Sequence, residues 1–376
     1  MRSWIGGGGF LKAAVLKDYG QQVTVEDLEL QGPKKGEVLV KMKAAGICHS
    51  DLHVVTADLP LPIPMVLGHE GAGIVEEVGA GVTRVKKGDH VVLNWIPECG
   101  TCYYCHIGRK DMCDTAQTTA ATGTLPDGTT RFHKSGEEIY QFSMTGTFSE
   151  FTVVPENGVI PINKDIPFPQ ASLVGCGVLT GFGAVVNTAK VVPGSSVVVI
   201  GAGGVGLNVI QSARLAGAGR IIAVDITANK FETARLFGAT HTVNAKETDV
   251  IDQVLQLTNG RGADYAFEVI GSPGTIAQSY NCLGKGGTAV VVGIAPPHVD
   301  ISINAFSLPA QSRTITGSWY GQSNPIVDIP KVLDLYMAKK IKLDELISKR
   351  YTSLEGINEA FDDLKEGRVA RSVVEF

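Results

Sequence analysis

Four of the seven cysteines, Cys99, Cys102, Cys105 and Cys113, stand in the spacing C-x2-C-x2-C-x7-C within a turn-rich stretch. Thiolates gathered on one short loop can close tetrahedrally around a single zinc ion, at Zn–S distances of about 2.3 Å. Such a set leaves no position open to substrate, and four thiolates outweigh the charge of the ion. The expected role is therefore structural. An iron–sulfur cluster is the rival chemistry, but the ferredoxin-type run ends with a shorter gap and a proline. Here the last gap is seven residues and Asp114 follows. Thiols without a ligand are the third possibility. Of the remaining cysteines, Cys48 lies in GICHSDLH and Cys176 in VGCGVLTG, with GHEGAG, Gly68 to Gly73, between them. Two cysteines and a histidine from separate segments can form a neutral zinc site whose fourth position stays free to polarise an oxygen. Each residue also has a plainer reading, as a buried thiol or an ordinary satisfied histidine. Spacing alone leaves both open. Cys282, in IAQSYNCLG, reads as helical core packing.

A second chemistry is written in SVVVIGAGGVG, where Gly201, Gly203 and Gly206 follow an apolar strand and open a helical segment with Gly204 and Val205 between them. The glycines permit a tight turn, backbone approach to a pyrophosphate and close helix packing, and the helix N-terminus attracts phosphate charge. The next strand, RIIAVD, ends at Asp225, nineteen residues past Gly206. An acid there can hydrogen-bond the adenosine ribose hydroxyls. It would repel a 2′-phosphate, and Ile226 and Thr227 follow it in place of an arginine. The expected cofactor is therefore NAD and not NADP; the alternative is a tight turn that binds nothing.

These motifs need elements to carry them. With 376 residues, 44% hydrophobic and 19% charged, the chain can form two or three domains with real cores, which excludes disorder and collagen-like repetition. A net charge of -5 offers no broad cationic surface to nucleic acid or an anionic membrane. The most apolar stretch, about Val197 to Ile210, is shorter than the ~18 residues of a membrane span and is broken by glycines. Met1 to Gly9 reads as a flexible leader and not a signal peptide, and an odd cysteine count without an export signal favours metal binding over disulfides. The cytoplasm is the expected compartment. Up to about Pro167 the chain reads as short alternating strands, among them EVLVKMKAAG, GDHVVLNWI and FSEFTVVP. From Pro193 strand, glycine turn and helix repeat, which implies a parallel sheet covered on both faces. Two amphipathic segments and a closing strand, RSVVEF, fall outside that rhythm, so the tail is a candidate to fold back onto the first half.

With these motifs in place, the chain from about Leu11 to Phe376 resembles the zinc-dependent, medium-chain alcohol dehydrogenases. The resemblance implies an α/β architecture, with a GroES-like β-rich catalytic domain from residues 1–177 and 321–376. A doubly wound Rossmann NAD-binding domain would be inserted at 178–320, with the substrate cleft between them. It also implies two zinc ions per chain, a catalytic one on Cys48, His69 and Cys176 and a structural one on the four-cysteine lobe. Glu70 would sit behind the catalytic ion, Asp51 would hold the His69 ring, and Ser50 and His53 would relay protons. Thr180, Val292, Lys230, His49 and Arg371 fall where the family contacts its cofactor, although a charge such as Lys230 or Arg371 is more commonly a solvated face. The implied reaction is reversible oxidation of a primary aliphatic or aromatic alcohol, by hydride transfer from a zinc-bound alkoxide to NAD. Trp95 and Phe142 match pocket-lining positions, with core packing as their plainer reading. The segment GTLPDGTTRFHKSGEEIY resembles the glutathione-dependent formaldehyde dehydrogenases, but Gln117 stands where they carry an arginine. That subgroup is the competing reading, and a zinc- and nucleotide-binding relative without turnover is another. The expected partners are small alcohols and aldehydes and further copies of the chain, as dimer or tetramer; nucleic acid and membrane are not expected.

Overall fold

The computed structural model describes residues 8–376, and the chain divides into two units. The first contains the described part of Met1–Cys176 together with Asn324–Met337 and Leu343–Phe376; the second contains Gly177–Ser323 and Ala338–Lys342.

The first unit is built on a seven-stranded sheet. Its order is Val159–Pro161, His90–Leu93, Glu70–Val78, Glu37–Gly46, Arg371–Glu375 and Ile347–Tyr351, with Phe151–Pro155 also paired to Glu37–Gly46. The tail strand enters the middle of this sheet, antiparallel to Glu37–Gly46, with Val373 opposite Gly46 and Val374 opposite Ala45. Pairing there is favoured because Val373 and Val374 are fully buried. Beside the sheet, Gly8–Leu16, Thr24–Gln31, Phe132–Lys134, Glu137–Gln141 and Met65–Val66 close a small barrel. Its first strand corrects the leader reading in part: Gly8 pairs with Gln31 and Gly9 with Leu30. Ladder hydrogen bonds use backbone groups alone, so glycines can extend a strand whose neighbour is long enough. Residues 1–7 of the expected leader lie outside the described residues.

A cluster of buried side chains under the helix His49–Val55 includes Leu52, Val54, Phe142, Phe148, Tyr351, Ile357 and Phe361. Burying each of the aliphatic or phenyl groups is worth roughly 1.5–3 kcal/mol, which ties that helix to the tail of the chain.

The second unit contains a six-stranded parallel sheet in the order His241–Asn244, Arg220–Asp225, Ser196–Ile200, Ala263–Glu268, Leu283–Val291 and Thr314–Gly317. Every residue of Ser196–Ile200 is buried, as a central strand covered on both faces requires. The chain runs outward from this strand in one direction, then crosses to Ala263–Glu268 and continues in the other. The order reverses between those two strands, where open α/β sheets bind ligands beyond their carboxyl ends. Among the described residues one helical run, Phe168–Ala189, is long and apolar enough by composition to cross a membrane; it has 22 residues, and 78% of its apolar window is buried within the protein. Apolar residues all round a helix serve a core as well as a bilayer.

In the barrel, Glu26 meets Lys134 and, at 2.5 Å, Lys17. These cations, Lys134 foremost, hold its carboxyl near 2 against an ordinary 4.5. A depressed native pKa contributes stability above the ordinary value and loses it as pH falls toward the native one. Glu26→Gln should therefore flatten the loss of stability between about pH 5 and about pH 2, read from denaturant midpoints at a series of pH values.

Candidate functional site

Cys48 precedes the helix His49–Val55, and Asp51 occupies its first turn. The Asp51 carboxylate is fully buried and accepts from the Cys48 backbone N–H (3.2 Å) and the Gly68 backbone N–H (3.0 Å). It also meets His69 Nδ1 at 3.1 Å. That contact assigns the proton to Nδ1 and turns the lone pair of Nε2 away from Asp51. Nε2 is buried with no hydrogen-bond partner among the described residues. Gly68 must be glycine: its φ is +91°, and a Cβ would lie 2.4 Å from Thr147 Oγ1 and 2.7 Å from the Phe148 backbone nitrogen. Its carbonyl accepts from Thr147 N–H (2.9 Å) and the Thr145 hydroxyl (3.1 Å).

Cys176 arrives from a wide helical turn, Val174–Val178. A Cβ on its neighbour Gly175 would lie 2.7 Å from the Leu93 carbonyl, so a larger residue would push the turn away from the strand. Donor atoms of Cys48, His69, Glu70 and Cys176 lie within 4.8 Å of one another, and all four residues are buried. The hydrogen bond between the two sulfurs is the main reason that the Cys48 thiol is held well below its ordinary value and the Cys176 thiol well above. Burial disfavours an imidazolium at His69, but Asp51 and Cys48 outweigh it and raise its pKa. Glu70 is pushed up to about 7 by burial, against the opposing pull of Arg371. A metal that displaces their protons would leave two thiolates and a neutral imidazole, which match the charge and softness of zinc, and Nε2 has no partner among the described residues that would compete for it.

Arg371 departs from its plainer sequence-based reading: it is 4% exposed and its guanidinium pairs with Glu70, so it is not a solvated face. A buried carboxylate demands such a partner. Ser50 lies with its Oγ 3.8 Å from Cys48 Sγ. His53, one turn further along the same helix, is part-exposed with Nδ1 3.4 Å from Asp58. His49 is exposed. The rings of Phe142 and Trp95 stand edge-on to His69, at centroid distances of 5.2 and 6.3 Å.

The donor atoms of Cys99, Cys102, Cys105 and Cys113 also gather within 4.8 Å. Backbone N–H groups of Thr101 and Cys102 donate to Cys99 Sγ (3.4 and 3.3 Å), and that of Cys99 donates to Cys113 Sγ (3.3 Å). Burial opposes the Cys99 thiolate, but hydrogen bonds led by that from Thr115 hold its pKa at about 5. Burial pushes Cys105 up to about 12. Gln117 is exposed on the helix Asp114–Thr122 that leaves this lobe. Cys282 is fully buried in the sheet core of the other unit.

That unit holds the glycine turn. Gly201 has φ +104°, and a Cβ on Gly206 would lie 1.8 Å from the Gly201 carbonyl. Gly203 differs: its φ is -85°, and a Cβ there would meet nothing within 4 Å. Folding does not demand glycine at this point, whereas a phosphate lying against the backbone would. Gly204 and Val205 are part-buried at the helix start. Asp225 accepts from Ala202 N–H and Thr227 N–H, each at 2.9 Å, and pairs with Lys230 at 3.2 Å. Thr180 lies in Leu179–Gly183, beside Gly181, whose ideal Cβ would sit 2.6 Å from Asn208 Cβ. Val292 follows the strand Leu283–Val291 and donates its N–H to the Glu268 carbonyl at 2.8 Å. Glu268, at the end of the strand Ala263–Glu268, escaped sequence reasoning because the stretch ADYAFEVIG around it carries no motif.

A parallel nucleotide-binding-type sheet, a GroES-like unit and a buried cysteine–histidine cluster together define a zinc-dependent medium-chain dehydrogenase. Residues 34–164 match the family description "alcohol dehydrogenase GroES-like domain", and residues 204–338 match "zinc-binding dehydrogenase". The chain belongs to the zinc-dependent medium-chain alcohol dehydrogenase family, a family of oxidoreductases. It is 44% identical over 366 residues to the NDMA-dependent alcohol dehydrogenase of Amycolatopsis methanolica, covering 96% of this chain and 98% of that one. It is 41% identical over 372 residues to the S-(hydroxymethyl)glutathione dehydrogenase of Paracoccus denitrificans, covering 96% and 99%. The crystal structure of benzyl alcohol dehydrogenase from Acinetobacter calcoaceticus superposes with a TM-score of 0.93 at 34% identity, covering 98% and 99%.

The open space at Gly203 makes a separable prediction. For the dinucleotide that the sequence leads us to expect at this turn, Gly203→Ala should leave the thermal midpoint within about 2 °C while weakening NADH affinity about tenfold or more; fluorescence titration and calorimetry measure the two effects.

Proposed function

We propose that the chain oxidises a primary aliphatic or aromatic alcohol to its aldehyde, reversibly, with NAD as hydride acceptor and two zinc ions per chain. The observation that carries this reading is His69 Nε2, buried without a hydrogen-bond partner among the described residues and beside Cys48, Cys176 and Glu70. Cys48, His69 and Cys176 would hold the catalytic ion, and Cys99, Cys102, Cys105 and Cys113 the structural one. Bound zinc supplies Lewis acidity toward a hydroxyl oxygen, and the dinucleotide accepts the hydride.

The chain's own residues supply the rest. Asp51 keeps His69 in the tautomer that presents Nε2. Arg371 neutralises Glu70, so the thiolate pair need not share the pocket with an unpaired carboxylate. Ser50 and His53, three residues apart on one helix, share a face and suit a path that carries the hydroxyl proton outward. His53 is exposed enough to release it to water. Phe142 and Trp95 stand near-perpendicular to the His69 ring, an apolar surrounding that favours apolar alcohols able to take a narrow approach. Gly201, Gly203, Gly204, Val205 and Gly206 would receive the pyrophosphate and Asp225 the adenosine ribose, with Lys230 alongside. Thr180, Val292, His49 and Arg371 are assigned to further cofactor contacts. An assembly of two or four chains in the cytoplasm completes the proposal.

Glutathione-bound formaldehyde is the second reading, favoured by the Paracoccus relative and opposed by Gln117, which offers an amide where a carboxylate needs a cation.

The test is NADH formation with ethanol, benzyl alcohol, and formaldehyde plus glutathione, alongside zinc per chain by elemental analysis. Two zinc ions and turnover of ethanol or benzyl alcohol are expected; turnover confined to the glutathione mixture would assign the second reading, and no turnover in zinc-loaded protein would reject both. His53→Gln should lower kcat about ten- to hundredfold while zinc content stays unchanged.

A further inference from the structure

The strand Ala263–Glu268 ends in an acid whose surroundings differ from those of every other acid in that unit's sheet. Glu268 is fully buried. One carboxylate oxygen accepts three hydrogen bonds, from the backbone N–H of Ile270 (2.9 Å), the backbone N–H of Gly271 (2.9 Å) and the Thr275 hydroxyl (2.7 Å). The other oxygen is buried with no hydrogen-bond partner among the described residues. Retaining a carboxylate in such a place is costly unless its geometry is used.

The sheet register shows where this group acts. Val224, Ile200, Glu268, Val291 and Gly317 lie on one rung across the five strands that carry them. Glu268 therefore stands level with the start of the glycine turn and with the residue before Val292. It also sits on the side of Ser196–Ile200 away from Asp225, across the point where strand order reverses. A dinucleotide bound there crosses that point, with its adenosine half toward the acid of the second strand and its other half beyond.

Three turns meet at Glu268. Its carbonyl accepts from Val292 N–H (2.8 Å) and Gly293 N–H (3.0 Å), which sets the turn after Leu283–Val291. Its carboxylate sets the turn Ile270–Gly271, where Gly271 has φ +87°. These two turns touch backbone to backbone: a Cβ on Gly293 would lie 2.1 Å from the Gly271 nitrogen, and one on Gly271 would lie 2.3 Å from the Ile294 carbonyl. The glycine turn rests on the same segment, since a Cβ on Gly201 would lie 2.9 Å from Ile270 and 3.0 Å from Val269. Moving Ile270–Gly271 must therefore move Val292–Gly293 and disturb Gly201.

We infer that Glu268 is a positioning residue for the nicotinamide half of the dinucleotide. Acting through Ile270 and Gly271, it holds the Val292–Gly293 turn at the height a bound ring requires. The inference rests on the dinucleotide reading above. Its distinguishing consequence is a split between the two halves of the ligand: AMP tests the adenosine side at Asp225, and NADH tests both sides.

The experiment measures Kd for NADH by fluorescence and for AMP by calorimetry, on zinc-loaded wild type and on Glu268→Gln, Glu268→Ala and Thr275→Val. Glu268→Ala is expected to weaken NADH tenfold or more and AMP less than twofold. Thr275→Val should show the same split at a smaller size. Glu268→Gln, whose amide oxygen can still accept the three donors, should recover most of the NADH affinity. Should Glu268→Ala fail to fold, the NADH-to-AMP ratio in Thr275→Val decides. Equal weakening of both ligands, or none, overturns the positioning role while leaving the dinucleotide reading intact. Wild type that binds neither ligand removes both.

Discussion

One buried carboxylate, that of Asp51, organises the first unit's site. It receives the start of a helix through Cys48 N–H, a loop through Gly68 N–H, and a ring through His69 Nδ1. Burial raises the pKa of such a group, and only donors converging on it offset the penalty of removing it from water. Because one group serves all three segments, shifting any of them exposes the others to that penalty. Cys48 and His69 are thereby brought together, although twenty intervening residues separate them in the chain. The ion pair of Arg371 with Glu70 works in the same way from the opposite end of the chain.

The second unit relies on a different constraint. Its turns are positioned by steric closeness, with glycine backbones at Gly201 and Gly206 and at Gly271 and Gly293 approaching to distances that any side chain would forbid. Steric contact is steep with distance, so such turns define the mouth of a sheet with little tolerance. The first unit uses charge to bring sulfur and imidazole donors together; the second uses close backbone approach to fix the turns at the mouth of its sheet.

Legibility differed along the chain for physical reasons. The four lobe cysteines occupy fifteen residues, and the glycine turn with Asp225 occupies twenty-five. Patterns that short reflect local geometry, so spacing constrains their chemistry. Strands such as Ser196–Ile200 and Arg220–Asp225 were likewise legible, because burial on both faces leaves a continuous apolar run. Arg371 was not legible, because a charge near a chain end reads as solvated until its partner 301 residues away is known. Gly8 and Gly9 looked unstructured because a ladder hydrogen bond leaves no trace in side-chain pattern.

From residue types and spacing came the two chemistries, thiolate and imidazole donors for a soft divalent ion and a glycine turn with an acid for a dinucleotide, together with the rhythm of a parallel sheet. Spacing left open whether Cys48, His69 and Cys176 share a pocket; family resemblance implied it and the tertiary structure brings them together, and only the structure put Arg371 on Glu70 and Glu268 between three turns. Local pattern encodes what a segment can do because propensity and periodicity act over a few residues. Long-range pairing depends on burial and charge compensation, which exist only once the chain has closed on itself.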